Sequence, residues 1–190
     1  MRFLCVVMLL ASFVPLAGPA LSHESSYAVF AEMGRANKSM AGGVNRRVFN
    51  KVVASRGSDV ALQADGSIRV QPGTYHISGY SLITIQDSLN VKASPLLYPG
   101  YCLLYESRYE RDRAGLLKNA LALGCPSTAC YASPSIFDTV VTFSKQVEIC
   151  LGHQAGNDVS SVFLTFVDGD PAGASATRVF AQVSIFRVGE

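Results

Sequence analysis

The chain carries three histidines, and imidazole is the side chain best suited to proton transfer near neutral pH and to binding transition metals. They are His23, His76 and His153. If a leader is cut after Ser22, His23 becomes the first residue, and its α-amino and ring nitrogens can chelate one ion together. With His76 or His153 supplying a third nitrogen, the set would suit divalent copper. That defines one alternative: a secreted, monooxygenase-like copper protein with an N-terminal brace. Against it stand the small number of histidines and the absence of tryptophan, the residue expected on a sugar-binding surface. His153 and Asp158 lie in "GHQAGND" and form half of a hydrolytic triad on paper, but the composition reads as a polar turn. Asp168 and Asp170 in "VDGDPAG" offer carboxylate oxygens to calcium. Two carboxylates are too few for such a site, and Asp-Gly is ordinary turn chemistry. The chain has no Gly-x-Ser-x-Gly elbow, His-Glu-x-x-His helix or phosphate-cradling glycine loop. No catalytic residue, metal or cofactor is therefore assigned, and the preferred reading is non-enzymatic.

The N-terminal stretch "MRFLCVVMLLASFVPLAGPALSHE" places Arg2 before an apolar run and ends it in small residues. It reads as a cleaved signal peptide over residues 1–22, with Ala20 and Ser22 at the positions before the cut. A spanning helix needs about 20 apolar residues; Pro15 interrupts this shorter run. Residues 23–190 then form one domain, secreted or periplasmic, without a membrane span. The formal net charge is +2, and basic residues alternate with acidic ones, as in "ESRYERDR". Nucleic acid is excluded as a partner, because phosphate binding requires a concentrated basic stripe. The densest basic cluster, "NRRVFNK", reads as a solvated strand end.

Export also bears on the cysteines. Cys5 leaves with the leader, and the mature chain keeps Cys102, Cys125, Cys130 and Cys150. An even count outside the cytoplasm favours two disulfides, with three connectivities open. The preferred pairs are Cys125 with Cys130, across the tight "CPSTAC" loop, and Cys102 with Cys150, between two strand segments.

Those residues sit among strands. Apolar and β-branched runs recur at "SYAVFAE", "RRVFNKVVA", "SIRVQ", "TYHISGYSLITI", "YCLLYES", "IFDTVVTF", "QVEICLG", "SVFLTFV" and "RVFAQVSIFRV", separated by turn clusters such as "SRGSD" and "QADGS". This rhythm predicts an all-β sandwich or barrel. One helical candidate interrupts it, "RDRAGLLKNALALG" within 110–124, with Leu117 and Leu121 on one face and Gly124 ending it. A loop excursion over the sandwich is the other reading of that stretch. Successive strand residues point to opposite faces. Tyr75, Ile77, Ile83 and Ile85 therefore share a buried face, leaving His76, Ser78 and Thr84 on the wetter one. Gly79 marks a bulge or the close approach of another backbone. In the closing strand Val179, Ala181, Val183 and Ile185 suit a core, while Phe180 and Phe186 stand on the other face. Two aromatics there need a second packing layer or a subunit interface.

The succession of "FN" in a strand, "DGSIRVQPGTYHISGYSLI", "VEICLGHQAGNDVSSVFLTF" and a closing "FAQVSIFRV" resembles the globular-head domain of the first complement component and its tumour-necrosis-factor relatives. Gly73, Tyr75 and Ile77 stand at the places of that superfamily's glycine-x-tyrosine-like element, and Phe180 to Val188 match its aromatic-rich last strand. The insertion from Arg108 to Pro134 departs from the pattern. What the resemblance implies is a ten-strand antiparallel jelly roll that assembles as a homotrimer through aromatic and aliphatic strand faces. The function expected is recognition or assembly outside the cytoplasm, with a protein or glycan ligand that the sequence does not name.

Overall fold

The computed structural model describes residues 26–34, 36–85, 99–128, 133–155, 162–165 and 178–189. The leader, His23, Cys130, Asp158, Asp168 and Asp170 lie outside them. Chain order gives β1 (Tyr27–Met33), β2 (Lys38–Ser39), β3 (Gly43–Arg46), β4 (Lys51–Arg56), β5 (Val60–Leu62), β6 (Ile68–Val70), β7 (Gly73–Ser81), β8 (Thr84–Ile85) and β9 (Pro99–Glu106). Then come helix α1 (Arg113–Lys118), β10 (Ala122–Leu123), β11 (Ser127–Thr128), β12 (Ser135–Phe143), β13 (Val147–Ala155), β14 (Val162–Thr165) and β15 (Val179–Gly189).

Two antiparallel sheets face one another. The front sheet runs β12-β7-β15-β1-β4, and the back sheet runs β10-β9-β13-β6-β5, with β11 added on β9 and β3 on β13. A small third sheet, β2-β14-β8, lies apart from both. The core between the main sheets follows the predicted alternation as far as the end of β7; Ile83, expected on the same face as Tyr75 and Ile77, lies beyond Ser81 and packs in a separate cluster with Met40, Ala155, Val162 and Leu164. Tyr75 and Ile77 of β7, Ala181, Val183 and Ile185 of β15, and Ile149 and Leu151 of β13 are all fully buried. The residues between them on β7 and β15, such as His76, Ser78, Gln182 and Ser184, are half-buried on the outer face. Gly79 is a point of close approach: a β-carbon there would strike the Gln182 carbonyl oxygen and the Phe137 ring.

Three predicted elements differ. The helix is a single short piece, Arg113–Lys118, capped by the Asp112 carboxylate accepting the Gly115 amide at 3.0 Å. It stops there because Leu123 pairs with Leu103 of β9, drawing the chain into β10. Leu116 is buried, whereas Leu117 is exposed and Gly124 follows a strand, so the expected helical face is displaced by one residue. "RRVFNKVVA" is not one strand: Arg47 to Asn50 cross from β3 to β4 outside the regular ladders, held at one end by the Arg47 amide donating to the Leu151 carbonyl of β13 and at the other by the Asn50 amide donating to the Ala31 carbonyl of β1. Finally, the polar-turn reading of "GHQAGND" fails at its start, since β13 continues through His153 to Ala155.

Candidate functional site

The histidines do not converge. His76 lies on the outer face of β7, its Nε2 2.8 Å from Asp138 Oδ2 on β12. His153 lies on the inner face of β13 and is completely buried. A sheet separates the two rings, so His76 and His153 cannot ligate the same ion. Among the described residues no group of three His, Cys, Asp or Glu side chains is placed to hold a metal.

Around His153 is a polar cluster that sequence reading missed. Arg47, expected at a solvated strand end, is fully buried. Its guanidinium donates to Glu32 Oε2 (3.1 Å), to the Leu164 carbonyl (2.6 Å), to Ser81 Oγ (2.8 Å) and to the Leu82 carbonyl. Glu32 in turn accepts the Val48 amide at 3.1 Å. Ser81 Oγ lies 2.8 Å from His153 Nδ1. Arg47 therefore ties β1, the end of β7, β13 and the small third sheet together. Burial, and after it the Arg47 charge, pushes the His153 pKa down to about 3, which keeps the ring neutral. Since Arg47 Nε–H already donates to Ser81, the serine hydroxyl is free to donate onward to the neutral ring.

Serine beside histidine invites a nucleophile reading, and the geometry excludes it. A triad needs a carboxylate orienting the imidazole; here Glu32 belongs to Arg47, and His153 Nε2 is buried without a hydrogen-bond partner. Ser81 is itself fully buried. Cys102 lies directly across from His153 in the β9–β13 register, but burial pushes its thiol pKa up while lowering the imidazole's, so no thiolate–imidazolium pair forms. One signal for the cluster existed in the sequence. Glu32 shares the alternating face of Ala28 and Phe30, and a carboxylate on a core face requires a buried partner.

The expected Cys102–Cys150 disulfide is not formed, and the pleat explains why. Cys150 aligns with Tyr105, three positions from Cys102, so the two side chains leave the back sheet on opposite sides. Cys102 enters the core, donating to the Ser135 carbonyl at 3.3 Å, while Cys150 packs with Leu103, Tyr105 and Leu116 on the outer side. Burial drives the Cys150 thiol to about 12. Cys125 is an exposed free thiol, and its expected partner Cys130 lies outside the described residues.

The two outer faces differ. On the back sheet, Leu103, Tyr105 and Cys150 are covered by Leu116, Tyr109 and Ala120 from the segment carrying α1. The front sheet has no comparable cover among the described residues. Val53 on β4, Ile136 and Val140 on β12, and Phe186 and Val188 on β15 are exposed large hydrophobics; Val52, also exposed, aligns with core-facing Phe30 and lies on the inner side of that edge. Register places Val140, His76, Phe186 and Tyr27 in one row across four strands. Phe186 is 42% exposed and stacks on Tyr27 with ring centroids 5.9 Å apart. Phe180, expected to share this exposed face, is instead 3% exposed and lies where a β-carbon on Gly34 would clash with its ring. Its own chain covers it, and only Phe186 of the pair is available at the surface.

With this topology in view, solved structures provide a comparison. A crystal structure of murine APRIL superposes with a TM-score of 0.50 at 15% identity, covering 87% of this chain and 100% of that one. A second murine APRIL structure gives 0.50 at 13% over the same shares. The fold is the jelly roll expected from the sequence motifs. The globular domain of a zebrafish complement 1qA protein covers 86% of this chain and 96% of its own, at 10% identity and a TM-score of 0.41. No protein-family model and no curated protein matches the chain by sequence. At these identities the jelly-roll likeness concerns architecture alone. No helix among the described residues is long and apolar enough to cross a membrane.

Proposed function

We propose that this is an exported, non-enzymatic recognition or assembly protein, cleaved after Ser22 and acting as a homotrimer of a single jelly-roll domain. The supporting observation is the unequal treatment of the two outer faces. The back sheet is closed by the chain's own excursion, while the front sheet presents Phe186, Val140 and Val188 beside Tyr27. Clustered apolar area of this kind marks association. Its occupant is a second copy of the chain, because the two apolar edges of the sheet are unlike. β4 carries Val53, and β12 carries Ile136 and Val140. A contact of one edge with the other is heterologous and closes into a ring when repeated by rotation. The jelly-roll likeness supports three copies in that ring.

Sedimentation equilibrium on the processed protein at micromolar concentration tests this. A trimeric mass is expected, and Phe186→Asp should weaken association at least ~30-fold, as loss of a central aromatic anchor does, with the circular dichroism spectrum unchanged. A monomer at that concentration overturns the assembly reading.

A further inference from the structure

Within the bare apolar row lies one polar pair, and its position has a consequence. His76 stands between Val140 on β12 and Phe186 on β15, and its Nε2 is 2.8 Å from Asp138 Oδ2. The side chains are 39% and 68% exposed. Any copy that covers Phe186 and Val140 must take this pair out of water as well. We propose that self-association is proton-linked through His76 and Asp138, strengthening as pH falls through the range in which histidine charges. This rests on the front-sheet assembly reading above.

The sign follows from charge. With a neutral imidazole donating Nε2–H to the carboxylate, the pair carries a net charge of minus one. With an imidazolium it carries none. Transferring an uncompensated carboxylate into an apolar interface costs far more than transferring a paired one, so covering the face favours the protonated ring. Among the described residues no other charge close by offsets this. On β7 itself the titratable neighbour on this face is Tyr80. On β15 the adjacent residues are Phe186 and Ser184, while Arg187 aligns with core-facing Tyr75 and pairs with Asp59 at 2.9 Å. From β1 comes Tyr27, and Arg56 on β4 aligns with Tyr27, three strands away from His76.

The experiment is sedimentation of the full mature chain at pH 7.5 and pH 5.5, as wild type, His76→Gln and Asp138→Asn. One proton taken up per copy changes association about tenfold per pH unit, and partial uptake still leaves at least a tenfold tightening between the two conditions. His76→Gln should associate equally at both pH values, whereas Asp138→Asn, which leaves the imidazole without its counter-charge, should lose the tightening at pH 5.5 or reverse it. Equal association of the wild type at the two pH values, tighter association at pH 7.5, or a pH response that survives in His76→Gln each overturns the proton linkage while leaving assembly in place. A wild type that is monomeric at both pH values removes the assembly reading and the linkage with it.

Discussion

Replacing Arg47 by methionine isolates what the buried cluster contributes. Methionine occupies much of the aliphatic volume, so the change is chiefly the loss of charge and donors. It leaves the Glu32 carboxylate, with 4% side-chain exposure, without its paired cation and with only the Lys38 ammonium nearby, and removes the donor to Ser81 and to the carbonyls of Leu82 and Leu164. Removing one partner of a buried ion pair costs about 3–5 kcal/mol, a large fraction of the roughly 5–15 kcal/mol that holds a typical domain folded. Glu32→Gln should cost a similar amount, because it strands the guanidinium instead. The decisive measurement is the double variant Glu32→Gln/Arg47→Met, in which neither charge remains. Urea denaturation followed by circular dichroism, or by the fluorescence of the eight tyrosines in this tryptophan-free chain, gives each stability. The double variant should be more stable than Arg47→Met alone. If the two single costs simply add, or if Arg47→Met costs under about 1 kcal/mol, the cluster is not a coupled buried pair and the reasoning is wrong.

Acid should act through His153. Its folded pKa of about 3 lies below the ordinary 6.5, so the unfolded chain takes up the proton first. Stability is complete above pH 6.5 and declines toward pH 3, by as much as ~3–5 kcal/mol; His153→Gln should flatten the fall in urea midpoint between pH 7 and pH 4, and an unchanged slope would refute the assignment. The thiols should separate by burial. An alkylating reagent is expected to reach Cys125 in the native protein, and Cys102 and Cys150 only after denaturation. A Cys102–Cys150 linked peptide in a non-reducing digest would contradict the opposed faces of the back sheet.

What the sequence made legible is what local periodicity controls. Alternation along β7 correctly set Tyr75 and Ile77 inside and His76 outside, because one buried face fixes the parity of every residue on a strand. Gly79 was readable for a related reason: an isolated glycine within an alternating run signals that something passes too close for a side chain. What stayed illegible depended on partners distant in the chain. Arg47 looks solvated beside Arg46, and only the arrival of Glu32 from β1 and of two carbonyls makes its burial tolerable. The cysteine pairing required the β9–β13 register, which composition does not contain. Phe180 escaped because the β1–β15 ladder shifts register at Glu32 and Met33, alongside the closing strand's first residues. Of the exposed apolar residues on the front sheet, Phe186 was anticipated from the closing strand, while Val140 and Val188 emerged only once β12 and β15 lay in one sheet.

The segment that carries the short helix also bears on which surface is left uncovered among the described residues. In a two-sheet sandwich each sheet has one face toward the core and one toward water, and strands with large apolar side chains on both faces require a third layer. Both sheets here are of that kind, the back sheet through Leu103, Tyr105 and Cys150 and the front sheet through Val140, Phe186 and Val188. The short helix and its flanking turns supply the third layer for the back sheet from within the chain, with Leu116 as the residue that reaches down. Among the described residues the front sheet has no such layer, and in the proposed assembly another copy supplies it. Cover from within needs no concentration and is always present. In the proposed assembly, cover from another copy depends on concentration, and through His76 and Asp138 on pH as well, so association at this face is open to regulation.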